Sequence, residues 1–329
     1  LTTTLERLTT GDLIAAIPAM LRYYPENCLC LIFTKHGHID TVIPAAIDQD
    51  RAGFAAHIAR VAHDHQMETA RIVVLAHPAR TSAGLAFADI VRDHLEAHAI
   101  PVLSRAHTWH ITPGAMWTDL DNQGGGTIPD PDTSAAAVAV VARGHRILEA
   151  RADIAARYIP TTTPDFITRR TAAIHSNRPG FAAAVLRELA DRIAVNGYPG
   201  PGLAARVSIL ATVDPAARDA LLGVGLIDLD AAASIYIDIA NQLRALPRAH
   251  LLAAAATLYY VTGQGVASYE AISHAQTAAR AARAENLSLI NFVTTAHARA
   301  FRPDLIRRFL AAGQIAAEKF GIAVPDYTG

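Results

Sequence analysis

Apolar residues alternate or run unbroken over short stretches of the first hundred positions, and beyond position 165 they recur with a helical period. The segment Asp12-Leu-Ile-Ala-Ala-Ile-Pro-Ala-Met-Leu21 reads as a helix capped by Thr9 or Thr10, with Asp12 near its positive end and Pro18 set to kink it. Residues 28–33 form a nearly continuous apolar run, as in a strand covered on both faces. A turn at His36-Gly37-His38 returns the chain through 39–47, which predicts a hairpin. Residues 50–66 carry Phe54, Ile58, Val61 and His65 on one helical stripe, and 81–97 carry Phe87, Val91, His94 and His98 in the same way. Strands at 71–76 and 100–104, the latter resuming toward Ile111, alternate with these helices. The expected fold class is therefore a layered α/β domain with a mixed, mostly parallel sheet and an N-terminal hairpin.

A loop at 124–131 precedes a long alanine-rich helix expected over 133–158. Pro160-Thr-Thr-Thr-Pro164 is polar and lacks periodicity, so 1–158 is read as one domain, 159–164 as a linker and 165–329 as a second domain. The second domain reads as helix throughout, over 165–176, 179–195, 201–211, 215–223, 228–246, 248–262, 267–284, 286–299 and 303–320. Alanine-lined faces allow close approach, which predicts an all-α array of helical hairpins without a fixed repeat period.

Several fragments carry a resemblance. They are Thr10-Gly-Asp-Leu-Ile-Ala-Ala-Ile-Pro-Ala-Met-Leu21, Pro25-Glu-Asn-Cys-Leu-Cys-Leu31, Ile128-Pro-Asp-Pro-Asp-Thr-Ser-Ala-Ala-Ala137, His250-Leu-Leu-Ala-Ala-Ala-Ala256 and Gly263-Gln-Gly-Val-Ala267. Over nearly the whole chain they resemble the actinobacterial domain-of-unknown-function family numbered forty-one ninety-two. An actinobacterial origin agrees with a basic complement in which Lys35 and Lys319 are the only lysines. The family pattern includes a tryptophan-serine element and a paired-cysteine stretch ahead of the Pro-Asp-Pro segment. Here Trp117-Thr118 stands near the first, and Asp119-Leu-Asp-Asn-Gln-Gly124 replaces the second, so no metal role for such cysteines carries over. The resemblance implies an architecture and no chemistry.

Composition narrows the function classes. A formal charge of −1 excludes a protein that holds nucleic acid by bulk charge. The halves differ, at −4 for 1–160 and +3 for 161–329, and 11 of the 15 histidines fall in the first. No apolar run reaches the length of a membrane span, and Leu1-Thr-Thr-Thr-Leu-Glu6 lacks the basic start of a secretion signal. Two cysteines cannot staple a fold, so a cytoplasmic setting is expected.

Candidate chemistry is scattered. His36, His38 and Asp40 resemble part of a metallo-hydrolase signature, but Thr41 stands where its last ligand belongs and the segment reads as a hairpin. His94 and His98, four apart on a helix, are the candidate metal pair, although no third ligand can be named. Asp119, Asp121, Gln123, Thr127 and Asp130 follow calcium-loop spacing loosely, and Gly124-Gly-Gly126 lacks the context of a phosphate loop. Cys28 and Cys30 share one strand face in an apolar run and are read as core.

Three function classes follow. The leading one is a cytoplasmic, non-enzymatic interaction protein that uses its helical half, with a protein partner or a second copy, no cofactor and no membrane. The second is a ligand-binding or hydrolytic enzyme at the carboxyl ends of the parallel strands, where His77, Arg105 and His107 would converge on an anion. The third is a nucleic-acid-associated factor using Arg299, Arg302, Arg307 and Arg308 beside Phe301 and Phe309.

Overall fold

The computed structural model describes residues 8–284 and 287–326, apart from the side chains of positions 304 and 308. The chain divides into two compact units, 1–153 and 154–329.

The first unit is built on six strands in the order β2-β1-β3-β4-β5-β6. Strands β1 (Cys28–Lys35) and β2 (His38–Ala46) form the expected hairpin, turned by His36 and Gly37, both at positive φ. Strand β3 (Thr69–Leu75) pairs antiparallel with β1 and parallel with β4 (Val102–Thr108). Strands β5 (Met116–Asp119) and β6 (Gly125–Thr127) then add in antiparallel fashion. The expectation of a mostly parallel sheet is corrected, because β3 with β4 is the only parallel pair in the described sheet. The cause is topological. Only that pair is joined by a helix long enough for a crossover, while hairpins build the edge at β2 and the one at β5 and β6.

β1 is buried on both faces, as its apolar run implies. Leu29, Leu31 and Phe33 join Ile72 and Val74 under α2 (Arg51–Asp64) and α3 (Pro78–Ala97). Cys28, Cys30 and Ile32 face the other way and are equally buried. Near that second face lies α1 (Thr10–Leu21), which packs against α4 (Ala135–Ala142) through Ala19, Ala136, Ala137 and Val140. Thr9 caps α1 in a capping box, its side chain accepting from the Asp12 amide while the Asp12 carboxylate accepts from the Thr9 amide. Gly11 leaves room for Trp117, whose Nε1 would lie 3.3 Å from a Cβ there, and Gly126 flanks the same indole.

The long helix expected over 133–158 is also corrected. A 3-10 turn (Pro131–Thr133) leads into α4, which stops at Arg143 because Gly144 takes φ +78°. The amides of Gly144 and His145 then close on the carbonyls of Val141 and Val140. Leu148 bridges to Tyr23 before the short α5 (Arg151–Ala156) begins.

In the second unit nine helices follow among the described residues: α6 (Phe166–Ser176), α7 (Phe181–Ala194), α8 (Gly200–Val213), α9 (Pro215–Val224), α10 (Leu229–Asn241), α11 (Ala245–Val261), α12 (Gly265–Ala281), α13 (Ser288–Ala298) and α14 (Pro303–Lys319). They match the nine expected, with ends set by Asp165, Asp214 and Asp228 as side-chain caps and by Pro215 and Pro303 in first turns. α11, nearly all alanine and leucine over 249–258, is buried around its circumference and packs on α10 and α12. α9 crosses α14 where Gly223 meets Gly313 backbone to backbone, and a Cβ at Gly313 would lie 2.7 Å from the Gly223 nitrogen. Replacing Gly223 with Val should force these two helices apart and cost about 1–3 kcal/mol, read as a lower urea midpoint.

Candidate functional site

The crevice at the carboxyl ends of β3 and β4, expected to gather His77, Arg105 and His107, does not do so, and the structure divides the three residues among separate tasks. Arg105 lies mid-strand on β4, 8% exposed, facing α3. Its Nε donates to Asp121 at 2.9 Å, its Nη1 donates to Asp89 on α3, and its own amide donates to Asp121 at 3.1 Å. Two carboxylates therefore balance one guanidinium and raise its pKa, the Asp121 hydrogen bond being the largest cause. His107, two residues on and on the same face, turns Nε2 to the Ala76 carbonyl at 3.3 Å and to Thr81 Oγ1 at 3.5 Å. His77 occupies the N-cap position of α3 with no side-chain cap bond, and its amide donates to Asn27 Oδ1. Arg105 is thus a structural tie between β4, α3 and the 119–124 turn.

That turn also absorbs the loose calcium pattern. Asp119 Oδ1 accepts from the amides of Asp121 and Asn122, which lowers its pKa, and Asp121 is bound to Arg105. At the C-terminal end of α3, His98 Nδ1 donates to the His94 carbonyl at 2.9 Å, and its ring meets His63 of α2 edge-on at 6.2 Å. Among the described residues no group of three or more His, Cys, Asp or Glu is placed to hold a metal ion. His36 lies in the hairpin turn, 3.5 Å from Glu68. Cys28 and Cys30 are free, buried and 3.9 Å apart, and their mutual hydrogen bond and burial raise the Cys30 thiol pKa.

The arginine cluster near the C-terminus spans a helix junction. Arg299 ends α13, Arg302 precedes α14 and Arg307 is exposed on α14, each engaged in interactions of its own. The side chain of Arg308 lies outside the described residues. The Phe309 and Phe292 rings meet at a tilt, their centroids 3.9 Å apart.

Two buried polar groupings of the helical unit had no signal in the sequence. Ser268 Oγ lies 2.8 Å from His297 Nε2 and also 2.8 Å from the Ala256 carbonyl. It has the outline of a nucleophile and base, but the carbonyl can only accept, so the single serine hydrogen goes there and His297 must donate to Ser268. Ser268 is also completely buried, which denies any substrate access. Tyr260 and Tyr269 wall the imidazole edge-on, and burial pushes its pKa down to about 4. The second grouping centres on Arg248, 5% exposed, whose Nη1 donates to the Ala240 carbonyl and Asn241 Oδ1 and whose Nη2 donates to the Tyr158 carbonyl at 2.6 Å. No carboxylate joins these contacts; three oxygens, one of them at the negative end of α10, solvate the charge.

The fold is that of an α/β unit joined to a helical unit, and Arg105, Arg248 and the Ser268–His297 pair are each held in internal contacts. The chain belongs to the family described as Domain of unknown function (DUF4192), whose model matches residues 11–287. No curated protein and no solved structure matches the chain. No helix among the described residues is long and apolar enough to cross a membrane.

His297 gives a signed pH dependence. Above pH ~6.5 the imidazole is neutral whether the chain is folded or not. As pH falls from there toward about 4, the unfolded chain takes the proton and the folded one resists. Stability is lost across that window by up to about 3 kcal/mol. Urea titrations at both ends of the window should show a smaller loss for His297→Gln than for the parent. Arg248→Met should cost at least about 2 kcal/mol in the same assay, since buried carbonyls lose their donors.

Proposed function

We propose that this chain is a non-enzymatic, cytoplasmic interaction protein that engages a protein partner through its helical unit. The observation that carries the reading is α6. Only Ala172 of its eleven residues is buried, while Phe166, Ile167 and Ile174 are 67%, 73% and 57% exposed. Ile167 and Ile174 lie seven apart and so share one stripe, with Arg170 between them at helical spacing. A helix that displays its large apolar side chains leaves a face to be covered by something else. Arg170, exposed on that stripe, makes the face complementary to an acidic, apolar helix of a partner.

Two further observations support the absence of catalysis. Arg105 is neutralised within the α/β unit, and Ser268 is sealed inside the helical one. Free thiols at Cys28 and Cys30 support a reducing compartment.

The test compares the full chain with the double variant Ile167→Glu/Ile174→Glu. Both sites are exposed, so helicity and melting temperature should change little. The parent should retain a stoichiometric protein partner from native lysate, or a second copy of itself by light scattering, and the variant should lose it at least about tenfold. Equal retention by both proteins, or a parent that stays bare and monomeric, overturns the reading.

A further inference from the structure

On the sheet face opposite α2 and α3, a cavity of about 230 Å³ opens between the start of α1 and the middle of β3 and β4. Its polar lining is Arg71, Ser104, Thr9 and Thr10, and its apolar wall is Leu8, Leu13 and Leu103. Arg71 is an odd residue for its place. It sits in a strand whose next four residues, Ile72 to Leu75, are buried and apolar. Among the described residues its guanidinium has neither an ion-pair nor a hydrogen-bond partner, in contrast to Arg105 on the neighbouring strand. Burial lowers its pKa, with no carboxylate among the described residues acting against that. A half-buried cation without a counter-charge costs stability, so the folded chain gains nothing structural from holding it there.

We infer that this cavity binds a small organic monoanion, a carboxylate with a short apolar tail, held by Arg71 and Ser104. The guanidinium fork suits a carboxylate's two oxygens, and the Ser104 hydroxyl, without a side-chain hydrogen bond among the described residues, supplies a third donor. Among the described residues Arg71 is the only charged side chain lining the cavity, which matches one negative charge and not the two of a phosphate dianion. The three leucines give the tail an apolar wall, with Leu103 at the open, solvent-facing side. The start of α1 contributes shape and little attraction. The amide and hydroxyl of Thr9 already donate to Asp12 Oδ2, at 3.0 and 2.6 Å. The cavity volume admits a molecule of a few heavy atoms, for which affinity on the order of millimolar is expected.

The experiment titrates sodium butyrate into the full chain, with sodium phosphate and sodium chloride at matched ionic strength as separate arms. Butyrate should give a saturable shift of the Arg71 Nε–Hε resonance and raise the melting temperature followed by tryptophan emission by roughly 2–4 °C near saturation. Arg71→Met should melt at or above the parent without ligand and should not respond to butyrate. If Arg71→Met misfolds, the parent's resonance titration decides alone. No saturable shift in the parent overturns the proposal. So does an equal butyrate response in Arg71→Met, or a phosphate or chloride response as large as that of butyrate.

Discussion

A buried guanidinium with no acid beside it organises the helical unit. Arg248 reaches from α11 to the end of α10 and to the Tyr158 carbonyl, so one side chain joins two core helices to the strand of chain that enters them. Neighbouring bonds repeat the theme. Asn241 Nδ2 donates to the Arg157 carbonyl, Arg244 donates to the Thr161 carbonyl, and the Thr161 amide donates to the Asn241 carbonyl. The entering segment, 157–161, has no regular secondary structure and too few apolar side chains to be held by burial. Its backbone is instead paired group by group, as a non-helical segment beside a core requires. Around this clamp the alanine faces of α10, α11 and α12 bring their axes close, and Tyr158, stacked on His274 at 5.2 Å, closes one side.

The architecture was legible wherever a local signal and the tertiary packing agree. Most helices of the second unit have Asp, Pro or Gly near an end, and their limits follow; the break at 242–244 (Gln-Leu-Arg) carries none of these, and the helix expected over 228–246 runs through it. The hairpin of β1 and β2 was legible because its turn residues and two apolar runs are adjacent. Strand direction was not, because antiparallel pairing of β1 with β3 is decided by layers of helix that no local pattern encodes. β4 extends to Thr108, beyond the strand expected over 100–104, for a related reason. Ser104, Arg105 and His107 interrupt its apolar run, and only the pairing of Arg105 with Asp89 and Asp121 makes a buried arginine tolerable there. The alanine run over 135–142 conceals its own end, since Gly144 stops the helix through a backbone conformation and not through hydrophobicity.

Site residues were legible as chemical types and illegible as constellations. His94 lies in the last turn of α3, while His98, expected on the same helix, is its C-cap one residue beyond the end and meets His63 of another helix. The contact of Ser268 with His297 spans a separation that no motif registers, and its polarity follows from a carbonyl invisible in a side-chain sequence. Arg71 carried the one usable signal, a charge inside an apolar strand, which strand assignment alone passes over. The unit with most of the histidines is therefore not the one whose histidine is most deeply altered by its surroundings.

The placement of the indoles gives the molecule a built-in optical division. Trp117, wedged between Gly11 and Gly126, and the exposed Trp109 are the chain's two tryptophans, and both belong to the α/β unit. Seven of the nine tyrosines lie beyond residue 154. Emission excited at the red edge of the aromatic band thus follows melting of the first unit alone, while far-ultraviolet ellipticity is weighted toward the second. Whether the two halves lose structure together or in sequence can be read from the unaltered chain, with no label added.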